Sequence, residues 1–171
     1  MAKPKLELQF QVENSTDFIE LHADPRFITI KRASLVNKLE GRTIDLGFPR
    51  SDSHRQTVRF ELAEALEEKN VYYLLLEYTT LYSFDHRGVV RKQDPVRGLW
   101  LNTLLETTNA RRLLPSFDEP HWRSSFKLEL RLLGDYAKED MVALSCTEGE
   151  RTVENETSSV WAFVATPPIP T

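Results

Sequence analysis

The stretch Asn109-Ala-Arg-Arg-Leu-Leu-Pro-Ser-Phe-Asp-Glu-Pro120 contains two arginines, two leucines, two prolines, a phenylalanine and two carboxylates within twelve consecutive residues. It shows neither the alternation of a β-strand nor a sustained helical period, and its two prolines bias the residues before them away from helix. This composition predicts a compact loop that packs on itself. Leu113, Leu114 and Phe117 are the apolar side chains that would anchor such a loop to a core.

The same loop holds two adjacent arginines, Arg111 and Arg112, and two adjacent carboxylates, Asp118 and Glu119. If the chain folds back, opposite charges come within reach of charge-assisted, bidentate hydrogen bonds. A catalytic carboxylate pair is the alternative, but carboxylates beside arginines more commonly form ion pairs. We therefore predict that Asp118 or Glu119 pairs with Arg111 or Arg112 and serves stability.

Outside this loop, short alternating segments dominate. Leu6, Leu8, Phe10 and Val12 alternate with polar residues, which is typical of a half-buried strand. Similar patterns predict strands near residues 18–23, 27–35, 58–62, 71–82, 126–132, 141–145 and 160–164, and a short one around Ile44. Residues 63–70 favour a helical turn or two. The sequence therefore predicts an all-β protein with antiparallel sheets.

A resemblance to a known family rests on the pattern T-x-x-E-x-T-x-A-R-R-x-x-P-x-F-D-E-P from Thr103 to Pro120. It resembles the signature of the N-terminal β-domain of aminopeptidase N-like zinc metallopeptidases, T-Q-F-E-P-T-D-A-R-R-x-x-P-C-F-D-E-P. The structural signature residues here are Arg111, Arg112, Phe117, Asp118, Glu119 and Pro120. Leu21-His-Ala23, Met141-Val-Ala-Leu-Ser145 and Ala165-Thr-Pro-Pro-Ile-Pro170 also resemble family segments.

The resemblance implies a twisted, saddle-like β-sandwich domain over residues 1–171. In the family one more strand follows the T-P-P segment, so we expect a single domain truncated before its last strand. An open strand edge near residues 160–164 would then invite a strand-donating protein partner or self-association. A catalytic domain is the other partner that the resemblance implies.

Zinc catalysis in that family uses an H-E-x-x-H helix and a G-A-M-E-N loop, and neither occurs in this chain. The four histidines, His22, His54, His86 and His121, have no helical ligand spacing. Cys146 falls in a segment that predicts a buried strand, where it would be inert. We therefore expect no catalytic residue, no metal site and no cofactor here, with zinc belonging to the family's catalytic domain. The family's substrate-pocket glutamine corresponds to Leu104, which cannot accept a hydrogen bond.

Charge and composition narrow the classes of protein to which this chain could belong. A net charge of −4 with interspersed signs gives no electrostatic case for nucleic-acid binding. The chain contains no apolar run long enough for a membrane span and no signal-peptide pattern at its start. Two sequons, at Asn14 and Asn155, would be usable only in a secreted protein. The compartment is therefore unknown from the sequence.

Three functions follow from these observations. The favoured hypothesis is a non-catalytic aminopeptidase N-like β-domain that acts as a scaffold or interaction module. The alternative is the N-terminal fragment of a larger zinc aminopeptidase that removes N-terminal residues from peptides. A second alternative is an unrelated β-sandwich that binds a ligand through Trp100, Trp122 or Trp161.

Overall fold

The computed structural model describes residues 2–96, 98–138 and 140–171. The chain divides into two compact units, Met1–Glu119 and Pro120–Thr171. Nearly all strand pairing is antiparallel, and the helical elements among the described residues are short 3-10 turns. The prediction of an all-β, antiparallel fold is confirmed. The prediction that residues 1–171 form one truncated domain stays a prediction.

The described residues of the first unit form nine strands in three sheets. A four-stranded sheet has the order β1-β7-β3-β4, a three-stranded sheet has the order β2-β6-β5, and β8 pairs with β9 alone. The strands are β1 (Lys5–Gln11), β2 (Thr16–His22), β3 (Ile28–Asn37), β4 (Thr43–Leu46), β5 (Arg50–Asp52), β6 (Thr57–Leu66), β7 (Val71–Thr80), β8 (Gly88–Asp94) and β9 (Gly98–Leu104).

The two larger sheets of this unit share one apolar core. Strands β3 and β7 bury alternate residues over most of their length, as the period of two requires. The largest wholly buried side chains are Phe60, Leu21, Leu35, Leu74 and Leu76, which come from both sheets. This arrangement is a small β-sandwich, and the predicted strands at 6–13, 18–23, 27–35, 58–62 and 71–82 all lie in it.

In the second unit, the part of the chain that the structure describes forms one three-stranded sheet with the order β10-β12-β11. Its strands are β10 (Glu129–Leu133), β11 (Gly149–Asn155) and β12 (Ser158–Phe163), and a 3-10 helix spans Gly134–Ala137. The segment after β12 pairs back along the chain, since Ile169 forms a bridge with Ser124 and Thr166 N–H donates to Phe126 O at 3.0 Å.

The prediction of a helical turn at residues 63–70 is wrong for residues 63–66, which belong to a strand. Strand β6 continues to Leu66, which pairs with Thr16 of β2 past a bulge and is buried. Helix-forming residues such as Glu64 do not decide the structure here, because backbone pairing with β2 and burial of Leu66 outweigh a small local propensity.

The predicted strand at 141–145 is also wrong. Those residues belong to no strand, and Val142 and Leu144 are exposed. The strand in this region is β11, whose sequence Gly-Glu-Arg-Thr-Val-Glu-Asn is mostly polar and exposed. It is held by backbone pairing with β12, so its side chains show little of the burial pattern on which sequence prediction depends.

Two further expectations need correction. Strand β8 is not among the predicted strands, and its register with β9 supplies the backbone pairing. Strand β12 is the middle strand of its sheet, with β10 on one side and β11 on the other. Residues 160–163 therefore do not form the open edge that was expected there.

Candidate functional site

The signature loop is built around a short 3-10 helix, Ala110–Arg112, between β9 and the end of the first unit. Backbone hydrogen bonds close it, with Leu113 N–H donating to Ala110 O at 2.8 Å and Arg112 N–H donating to Asn109 O at 3.0 Å. Ala110 and Pro115 are buried. Prolines favour this geometry since they fix φ and need no backbone donor partner.

Apolar side chains anchor the loop to the sandwich. Leu114 and Phe117 pack against the core cluster, and the Phe117 ring meets the Phe10 ring edge-on with centroids 6.4 Å apart. This edge-to-face geometry suits the aromatic quadrupoles. The loop is therefore fixed by burial, as its apolar residues predict.

Arg111 and Asp118 form the central ion pair of the loop. Arg111 Nε lies 2.9 Å from Asp118 Oδ2, and Arg111 Nη2 donates to the Asp118 carbonyl at 3.1 Å. Their side chains are 12% and 4% exposed. The predicted pairing of an arginine with a carboxylate is confirmed by this contact.

Arg112 pairs outside the loop. Its Nη1 lies 3.0 and 2.8 Å from the two carboxylate oxygens of Asp85, and its guanidinium lies over the Phe27 ring at 4.7 Å. The Arg112 hydrogen bond, helped by the Ser83 hydroxyl, holds the pKa of Asp85 well below its usual range. The carbonyl of Arg112 accepts from Thr80 Oγ1 at 2.8 Å.

His22 joins the loop to strand β2 through the backbone. His22 N–H donates to Ser116 O at 2.9 Å, and Ser116 N–H donates to His22 O at 3.0 Å. The imidazole Nε2 lies 3.9 Å from Glu119 Oε1. Burial, with Arg111 nearby, lowers the pKa of His22, so the neutral ring is favoured in the folded chain.

The sequence analysis did not identify Asp24, an acid whose backbone contacts the signature loop at Arg111. Asp24 is fully buried, and its carboxylate accepts from Arg26 Nη2 at 2.7 Å and from Gln56 Nε2 at 3.2 Å. Its N–H donates to Arg111 O at 2.7 Å. The available signal was an aspartate directly before a proline and two residues before an arginine, a pattern that favours a side-chain-capped turn.

Two signature positions, Leu104 and Pro120, lie apart from these hydrogen bonds and ion pairs. Leu104 ends β9 opposite Gly88 and is 47% exposed, so it contributes no polar group to the loop. Pro120 begins the second unit and is exposed. The loop therefore brings Arg111, Asp118 and Phe117 together and places Leu104 elsewhere.

The described residues do not fit a zinc ion. No three His, Cys, Asp or Glu side chains within residues 2–96, 98–138 and 140–171 converge to hold a metal. His54, His86 and His121 are exposed, while His22 faces Glu119. We assign no zinc to these side chains, and the absence of a metal from this chain stays a prediction. No helix in the described part of the chain is both long and apolar enough to cross a membrane.

Cys146 departs from its predicted environment. Cys146 is exposed, and the segment that contains it is not a strand. It lines a shallow depression with Ser145, Thr147, Glu148 and Val164. The expectation of a buried cysteine is therefore wrong.

Comparison with known proteins supports the resemblance seen at the signature loop. The chain is 29% identical over 150 residues to Aminopeptidase 2 of Candida albicans, a match that covers 85% of this chain and 15% of that protein. The family model of the peptidase M1 N-terminal domain matches residues 2–171. An unrelated β-sandwich is thereby excluded. The chain belongs to the peptidase M1 N-terminal domain family.

Proposed function

We propose that this chain is a non-catalytic M1 N-terminal β-domain whose role is that of a scaffold or interaction module. The observation that carries this proposal is the internal pairing of the signature loop. Arg111 is bound to Asp118 and Arg112 to Asp85, while the His22 backbone is bound to Ser116. The first pair lies within the loop, and the other two contacts tie the loop to the segment between β7 and β8 and to strand β2. These groups are therefore not free to bind and activate a substrate.

Chemistry supports the same proposal. Peptide hydrolysis by a zinc enzyme needs a metal that activates water and a carboxylate that moves its proton. The buried acids, Asp24 and Asp118, are already occupied by arginines. Their oxygens already accept hydrogen bonds from guanidinium groups, so these acids are not available to hold a metal ion or to activate a water molecule. The chain would need no cofactor for a scaffold role.

The alternative is that these residues are the N-terminal part of a larger zinc aminopeptidase. The chain spans 15% of the length of Aminopeptidase 2 of Candida albicans, which favours this possibility. In that case the same β-domain would support a catalytic domain, and the zinc would lie in that domain. Both versions give the β-domain itself a structural role.

The test is to assay the purified chain for aminoacyl-arylamide hydrolysis and for bound zinc. Full-length Aminopeptidase 2 of Candida albicans is the positive control, and a mock preparation sets the background. We expect background hydrolysis and less than about a tenth of a zinc ion per chain, by order of magnitude for a chain without a preformed site. Hydrolysis above the mock, or one tightly held zinc per chain, would contradict the proposal.

A second experiment tests the scaffold role directly. The matched segment of Aminopeptidase 2 is deleted, and this chain is supplied in trans or as a replacement. Recovery of stable, folded peptidase supports the scaffold role. Failure to recover it while the isolated chain remains folded argues against docking to that catalytic part.

A further inference from the structure

We draw no further inference here: the strongest candidate, the outer edge of strand β9 with its exposed apolar residues Trp100, Leu101 and Leu104, pairs only with β8 among the described residues, and nothing in the structure shows what covers it.

Discussion

Arg111 Nε lies 2.9 Å from Asp118 Oδ2, and the two side chains are nearly buried at 12% and 4% exposure. The backbone N–H of Arg111 also points at the same carboxylate oxygen, at 3.4 Å. One acid therefore organises both the side chain and the backbone at the start of the signature loop. A buried charge that loses its partner is costly because it keeps its desolvation penalty without the compensating contact.

Removing either partner of this pair should destabilise the chain strongly. We expect Asp118→Asn or Arg111→Ala to lower the free energy of unfolding by about 3–5 kcal/mol. Chemical denaturation measures this change in the free energy of unfolding. The matched control is the surface pair Arg32–Asp45, at 3.7 Å with side chains 69% and 75% exposed. Removing the Arg32–Asp45 pair should lower the free energy of unfolding by about 1 kcal/mol or less. Equal decreases for the two pairs would contradict the structural role of the Arg111–Asp118 pair.

His22 should make stability fall in mild acid. Its folded-state pKa is lowered by burial and by Arg111, while Glu119, Asp118 and Glu20 oppose that effect. The unfolded chain therefore binds a proton more readily than the folded chain, and stability decreases as pH falls below the ordinary histidine value of 6.5. The decrease ends once pH is below the folded pKa.

The His22→Gln variant removes this titration and leaves the backbone bonds to Ser116 available. We expect the native chain to lose stability relative to His22→Gln between pH 7.5 and pH 5, measured by denaturant unfolding at each pH. An NMR titration of the imidazole checks the direction of the pKa. A folded pKa above 6.5 would reverse the expected slope and reject the argument.

Gly149 should resist substitution because of its cross-strand partner. An added Cβ would lie 2.5 Å from the Phe163 ring, and Gly149 pairs with the buried Phe163 across β11 and β12. Gly149→Ala should cost about 1–3 kcal/mol through overpacking. At Gly47 the same change meets no atom within 4 Å and should stay within about 0.5 kcal/mol.

The double variant Gly149→Ala with Phe163→Leu separates steric conflict from other causes. A smaller side chain at 163 relieves the contact, so the two changes should cost less together than the sum of the single changes. Additive costs in chemical denaturation would show that the ring is not the source of the conflict.

Cys146 should react in the folded chain. The thiol is exposed and is the single cysteine of the sequence. A thiol reagent such as a disulfide dye should modify one group per chain at the same rate with and without mild denaturant. A rate that rises sharply on unfolding would instead support the buried environment that the sequence predicts.

Local sequence patterns determined strands such as β1 and the presence of the packed signature loop. The alternation of Leu6, Leu8 and Phe10 identifies β1, since a strand with one buried face must place apolar residues at every second position. The prolines and apolar residues of the signature loop identify a packed loop, and the structure contains one. These features depend on neighbouring residues, so a single sequence carries them.

Long-range pairing was decided by the tertiary structure. The sequence leaves open which arginine meets which acid, and the fold pairs Arg112 with Asp85, 27 positions away. It also extends β6 to Leu66 and leaves 141–145 outside any sheet. The physical reason is that backbone hydrogen bonds between strands are common to all sequences, so the partner of a strand is selected by the packing of the whole chain.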